Sequence, residues 1–443
     1  EAWTTAVAAT GERTLLRAGE ANAGMAPLRA EPPKVAWVVA WGQNGAAALL
    51  AELLRLGVKA RCIDRRFTLD GIEYPAGSYV VKVQDQPADL HARLRELAAM
   101  HGVSPYCADS SWVDSGPNFG SENSHVLKVP RVAMAWDRPV NANSAGWLRY
   151  LLEQRYGIPV TPLRCHQLDD VDLDRFTVLV LPEGNGYAGI VGKKGAEAVK
   201  GFVARGGVLV TLGSATKWLV DENVKLLASE AEPRQKPKEP EKGKDGDKPG
   251  EKPAEKATEK PAAKPDEKPA ADAAKSEVAP EPFDYGKTIR PDKESPPATP
   301  GAILQVTIDH DHWLGFGYQG TANVVHDSAN IFTPVKLDRG TNVAIYAPAD
   351  QLVKAGFVWD EARKQLPQKA FLVHQPHGRG HVVAFADDPS VRAFADGEVA
   401  QGAVDLQVFL GAQPGPVLLG QRHGPLVGNL GEMFQAAGLG AGQ

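Results

Sequence analysis

The stretch Gly206-Gly-Val-Leu-Val-Thr-Leu-Gly-Ser-Ala-Thr-Lys-Trp-Leu219 constrains the fold of this chain more than any other. A short run of Val and Leu lies between a Gly pair and a Gly-Ser turn, and a helix-like pattern follows. That sequence reads as a buried parallel strand turning sharply into a helix. In an open α/β sheet such a turn is where chemistry is usually placed. Its tip, Gly213-Ser214-Ala215, holds no cysteine, and it lacks the second glycine of a G-x-S-x-G elbow.

The rest of the chain falls into place around that strand. Glu1 to Pro33 has weak periodicity, and residues 1–30 are expected to be a tail or linker. Val35-Ala-Trp-Val-Val-Ala-Trp41 is strand-like, Ala46 to Leu56 repeats at helical spacing, and Val58 to Ile63 is a second strand. Phe67 to Val81 reads as a hairpin with turn residues at Asp70-Gly71 and Pro75-Ala-Gly77, and Asp89 to Met100 as an amphipathic helix ending near Gly102. These pieces predict a small α/β domain over residues 31–110. A second domain is expected over 129–412. Strands are expected at Val129 to Trp136, near Gly157 to Val160, at Phe176 to Leu181 and at Val208 to Leu212. Helices are expected at Ala145 to Tyr156 and Gly195 to Ala204. Strand alternating with helix predicts a doubly wound, mostly parallel sheet.

Between residues 230 and 300 the composition changes to Lys, Glu, Pro and Ala, with 14 of the chain's 34 prolines. Such a stretch has too little apolar surface to offset chain entropy, so a disordered insertion is expected. Strand patterns resume at Ile303 to Ile308, Val343 to Tyr346, Lys369 to His374 and Gly380 to Phe385, and these need the same sheet. Residues 413–443 read as an irregular tail.

The 443 residues suffice for two or three domains. With 49 basic against 54 acidic residues the formal charge is −5, which argues against a nucleic-acid surface. No apolar run reaches the roughly 18 residues of a membrane span. Cys62, Cys107 and Cys165 contain no C-x-x-C pair; one disulfide among them is left open.

No histidine is followed by Glu at the third position or the second, and H-E-x-x-H is absent. No metal site is therefore assigned. In Asp309-His-Asp-His312, alternate strand positions would let His310 and His312 share a ligand, although solvated histidines at a strand end explain the cluster as well. His374-Gln-Pro-His-Gly-Arg-Gly-His381 reads as a tight turn before a closing strand. Glu183 sits at the turn beyond the third strand, on the carboxyl edge where ligands bind in such sheets; a helix-capping carboxylate is the plainer explanation. Ser214 is a nucleophile candidate that still needs a base. Gly184, Gly186, Gly189 and Gly192 fit no phosphate-loop spacing.

Phe67 to Val81, Ser115 to Ser121 leading into Val129 to Ala135, and Phe385-Ala-Asp-Asp-Pro-Ser-Val-Arg392-Ala-Phe394 together resemble the non-catalytic C-terminal half of bacterial zinc carboxypeptidases of the carboxypeptidase A-like type. Within that half, Val129 onward resembles a flavodoxin-like, class I glutamine amidotransferase-like domain. The resemblance implies a periplasmic or secreted parent whose zinc-binding catalytic domain lies upstream of Glu1 and acts on peptides. It carries no zinc ligand onto this sequence, and the amidotransferase cysteine would fall at or beside Gly213. The leading expectation is an accessory, inactive region of such an enzyme, with no cofactor of its own and the upstream domain as partner. Two alternatives stand beside it: a stand-alone small-molecule-binding module with its pocket near Glu183, Ser214 and His310, and a serine hydrolase using Ser214.

Overall fold

The structure is a computed structural model, and it describes residues 28–391 apart from 44 and 235–294. The expected N-terminal tail up to residue 27, most of the expected insertion, the C-terminal tail, and Arg392 and Phe394 lie outside the described residues.

The first unit is a five-stranded antiparallel sheet. Its strands are β1 (Ala36–Val39), β2 (Ala60–Ile63), β5 (Tyr79–Lys82), β6 (Tyr106–Ala108) and β7 (Ser124–Val126), in the order β6-β1-β5-β2-β7. β1 is apolar at all four positions because both its faces are covered. Trp37 and Val39 pack with Leu49 and Leu53 of helix α1 (Ala46–Arg55) and Leu94 of α2 (Leu90–His101). Ala36 and Val38 pack with Phe67, Leu69 and Phe119 on the other face. The hairpin β3 (Phe67–Leu69) and β4 (Ile72–Tyr74) closes that second face. Its turn, Asp70-Gly71, has φ 51° and 76°, the pair of positive values that a two-residue hairpin loop requires.

The second unit is built on five parallel strands: β8 (Val132–Ala135), β9 (Val160–Leu163), β10 (Val178–Leu181), β11 (Val208–Thr211) and β17 (Gly380–Phe385). In space they run β9-β8-β10-β11-β17, which in chain order is the flavodoxin-like 2-1-3-4-5 arrangement. Helix α3 (Ala142–Arg149) continues into a π-helical segment, Tyr150–Arg155, before β9. Helix α4 (Tyr187–Ala204) links β10 to β11, and α5 (Ala215–Val220) follows β11. The fold is thus the expected mixed α/β one. Helix α4 starts eight residues before the expected Gly195, because Gly189, Gly192 and Gly195 hide its period. Gly192, at φ 65° and ψ −174°, breaks it internally.

Beyond β17 the sheet continues antiparallel. The added strands are β12 (Ala302–Ile308), β13 (Thr321–His326), β14 (Thr341–Tyr346), β15 (Val353–Gly356) and β16 (Ala370–His377). The order on this side is β13-β12-β14-β16-β17, with β15 also beside β12. The short helix α6 (Asp360–Gln365) precedes β16. Residues 230–234 and 295–300, at the ends of the expected insertion, pack on this half. Ala231 bridges Phe332, Lys369 pairs with Glu232, and Arg234 pairs with Glu361 at 2.8 Å.

One core runs through both units, containing Trp37 and Trp41 together with Leu314, Phe316 and the parallel strands. At the seam the Trp41 Nε1–H donates to the Phe316 carbonyl at 3.2 Å. Gly317 has φ +89°, and a Cβ there would stand 2.9 Å from Trp41 Cδ1. Gly317→Ala is therefore expected to lower stability by about 1–3 kcal/mol in urea denaturation, from a strained backbone and a crowded indole. An unchanged midpoint would show that the seam is loose.

Candidate functional site

The carboxyl ends of β8, β10, β11 and β17 lie side by side, and each is followed by polar residues. In a 2-1-3-4-5 sheet the crevice opens between β8 and β10, where the chain order reverses. Here that crevice is bridged by backbone. Val140 pairs with Gly184, the Asn141 N–H donates to the Glu183 carbonyl at 2.7 Å, and a Cβ on Gly184 would lie 2.3 Å from the Pro139 carbonyl oxygen. The polar side chains gather instead toward β11 and β17.

Glu183 and Ser214 are brought together there. The backbone N–H of Glu183 donates to Ser144 Oγ at 3.0 Å. The carboxyl of Glu183 is half-buried and is pushed up to about 7, first by burial and then by the negative fields of Asp327, Asp388 and Asp387; a hydrogen bond from Ser214 opposes the rise. Gly213 sits beside it at φ +53°, and a Cβ there would meet Glu183 Cγ at 3.1 Å. At the position where the resembling family would place its cysteine, or next to it, this chain has a left-handed glycine packed on a glutamate. The Ser214 hydroxyl lies 3.4 Å from the Asn330 side-chain amide, whose Nδ2 donates to the Ala386 carbonyl at 3.1 Å.

Behind these two residues lies the fully buried Asp387. It accepts from the Tyr346 hydroxyl at 2.6 Å, from His326 Nδ1 at 2.6 Å and from Ser328 Oγ at 2.5 Å. Burial alone would raise this carboxyl, but the His326 imidazole and the other two donors hold it below the usual carboxylate value. The same pair raises His326 against a burial that would lower it. The site therefore contains a buried histidine–carboxylate pair with two hydroxyl donors. Asp388, also buried, accepts from Ser390 N and Oγ through one oxygen, and burial raises its pKa. Lys217 on α5 is lowered by burial, while Glu183 and Asp387 act to raise it.

His310 and His312 are not brought together. The shared-ligand expectation needed both on alternate positions of one strand, whereas β12 ends at Ile308, as the alternative of a strand end supposes. Asp309 Oδ1 then accepts from the Asp311 N–H and starts a turn. His310 is left exposed, and His312 turns inward to His374. Among the described residues, no group of three His, Cys, Asp or Glu side chains is placed to hold a metal ion, and no helix is long and apolar enough to cross a membrane. All three cysteines are free.

The sequence reading did not identify Asp387, Asp388, His326, Tyr346 or Asn330. The Asp-Asp pair directly after the strand Gly380–Phe385 was open to the same carboxyl-edge reasoning that selected Glu183. His326, Asn330 and Tyr346 had no local signal, because they reach the site only through the antiparallel strands and their loops.

No family model matches this chain, and no curated protein matches it. Solved structures with some likeness include a putative ThuA-like protein from Parabacteroides merdae, at 10% identity and a TM-score of 0.37, covering 63% of this chain and 88% of that one. A putative GMP synthase protein from Thermoplasma acidophilum has 10% identity and a TM-score of 0.34, covering 64% and 94%. PurLQS from Thermotoga maritima has 14% identity and a TM-score of 0.34, covering 63% and 97%. These likenesses are loose and do not bear on a carboxypeptidase; the fold assignment rests on the strand order itself.

Removing charge from the buried pair tests the arrangement. Asp387→Asn is expected to cost about 3–5 kcal/mol in urea denaturation, because it removes the buried charge on which three buried donors converge. Tyr346→Phe is expected to cost about 1–2 kcal/mol. Equal, small losses from both would show that Asp387 is not the centre of the network.

Proposed function

We propose that this chain is a small-molecule-binding module of amidotransferase-like fold, which takes its ligand at the carboxyl edge beside Glu183 and Ser214. The observation that carries this reading is the Glu183 carboxyl, half-buried among three other carboxylates and pushed up to about 7. A carboxyl in such a state exchanges its proton near neutral pH and gains from any hydrogen-bond donor or cation that reaches it. The ligand therefore presents an amino or amidine group to Glu183. Ser214 and the Asn330 amide supply a neutral donor and acceptor alongside.

The hydrolase reading of Ser214 has less support, since the hydroxyl is engaged by Asn330 and Glu183 and neither is an imidazole. Association with an upstream carboxypeptidase domain, the leading expectation from the sequence, has the sequence resemblance alone behind it.

Thermal unfolding at pH 7.5 with agmatine, putrescine and uncharged amides of matched length tests the proposal. Ligand binding to the folded state raises the midpoint by mass action. An amine is expected to raise it, the amides to do less, and Glu183→Gln to abolish the difference. Equal midpoints with every compound would contradict the proposal.

A further inference from the structure

His312, His374 and His381 come from three segments: the turn after β12, strand β16 and strand β17. They form a file of hydrogen-bonded rings. His312 Nε2 is 3.0 Å from His374 Nδ1, and His374 Nε2 is 2.8 Å from His381 Nδ1. One backbone group fixes every proton in the file. The Leu314 N–H donates to His312 Nδ1 at 3.2 Å, so that nitrogen is a bare acceptor and Nε2 carries the hydrogen. His312 then donates to His374 Nδ1, and His374 Nε2 donates to His381 Nδ1. All three rings are neutral, with the proton on Nε2.

The surroundings oppose charge. Trp313 stands edge-on to His374 and His381, with centroids 5.5 and 6.4 Å away. Burial lowers all three pKa values, and the rings' fields on His312 and His374 push in the same direction. In the flanking strands Thr341 lies opposite His374 and Val208 opposite His381, so neither neighbour brings a titratable group to this register. On the same segments Asp311, His310 and Arg379 are exposed, and Asp309 and His377 are partly so. Helix α4, packed on β17, is followed by Arg205, which pairs with Asp174 at 2.8 Å.

The turn that carries His312 also carries Phe316, whose carbonyl receives the Trp41 indole at the seam between the two units. We propose that the His312–His374–His381 file is an acid-sensitive latch: neutral, it clamps the 309–317 turn onto β16 and β17 and holds the seam against Trp41; protonated, it releases both. A proton added to any acceptor nitrogen sets two N–H groups against each other and breaks the file at that point. The closed form resists protonation, whereas the released rings accept protons near the ordinary value of about 6.5. The closed form is therefore fully favoured above that pH. Below it the open form gains by up to ~1,000-fold per pH unit if all three rings protonate on opening.

Hydrogen exchange of the full chain, corrected for intrinsic rates and compared at pH 8 and pH 5, tests this. Segments 309–317 and 40–43 are expected to lose protection together at pH 5, while β8, β10 and β11 keep theirs. In His374→Leu/His381→Leu one titrating ring remains, so the pH dependence of opening is expected to fall to about a third of its wild-type slope on a logarithmic scale. Should that variant fail to fold, histidine-selective ¹⁵N spectra of the wild type serve instead, with three Nε2–H tautomers expected at pH 7.5. Protection in 309–317 that does not change with pH, an unaltered slope in the variant, or an Nδ1–H or imidazolium form at pH 7.5 in a signal assigned to His312, His374 or His381 would overturn the proposal.

Discussion

Beside the β16–β17 ladder, one buried carboxylate ties the two halves of the large sheet together. Asp387 follows the last parallel strand, and its three donors come from the antiparallel half: His326 ends β13, Ser328 is two residues further on, and Tyr346 ends β14. An unpaired charge at that depth would cost several kcal/mol, so the antiparallel strands cannot shift register without stranding it. The same carboxylate contributes to the field that raises Glu183. The field at the candidate site and the placing of β13 and β14 against the parallel half therefore share the same carboxylate.

Local patterns were enough to read the parallel strands. Val178–Leu181 and Val208–Val210 are unbroken apolar runs because both faces of the sheet are covered, and each is soon followed by a Gly or Pro turn. The Asp70-Gly71 hairpin was legible for the same kind of reason: its dipeptide supplies the two positive φ values that the loop needs. The antiparallel additions were harder. Thr321–His326 has only partial burial, exposed at one end and closed at the other, and its six residues carry no strong period. The end of the strand before His310 and His312 was legible, but not that the turn started by the Asp309 side chain carries His312 inward to His374.

The site was legible only where it hugs the parallel edge. Glu183 and Ser214 follow strands that the sequence reveals, and the sheet places them together. Their other neighbours are remote in the chain. Asn330 is 116 residues from Ser214, and His326 is 61 from Asp387. Contacts of that span are set by tertiary packing, and no window of sequence contains them. The histidine file has the same origin, since it joins a turn to a hairpin 62 residues away.

The central claim is the state of Glu183 at the carboxyl edge. Carbon-detected titration of glutamate side chains in the full chain, assigned by loss of one signal in Glu183→Gln, reads it directly. One carboxyl titrating at about 7 is the expected result, and because the folded form then holds a proton that the unfolded chain has lost, stability declines as pH rises through that value. A Glu183 signal titrating at the ordinary value near 4.5 would contradict the claim, since it would leave no buried, field-raised carboxyl for a ligand to meet.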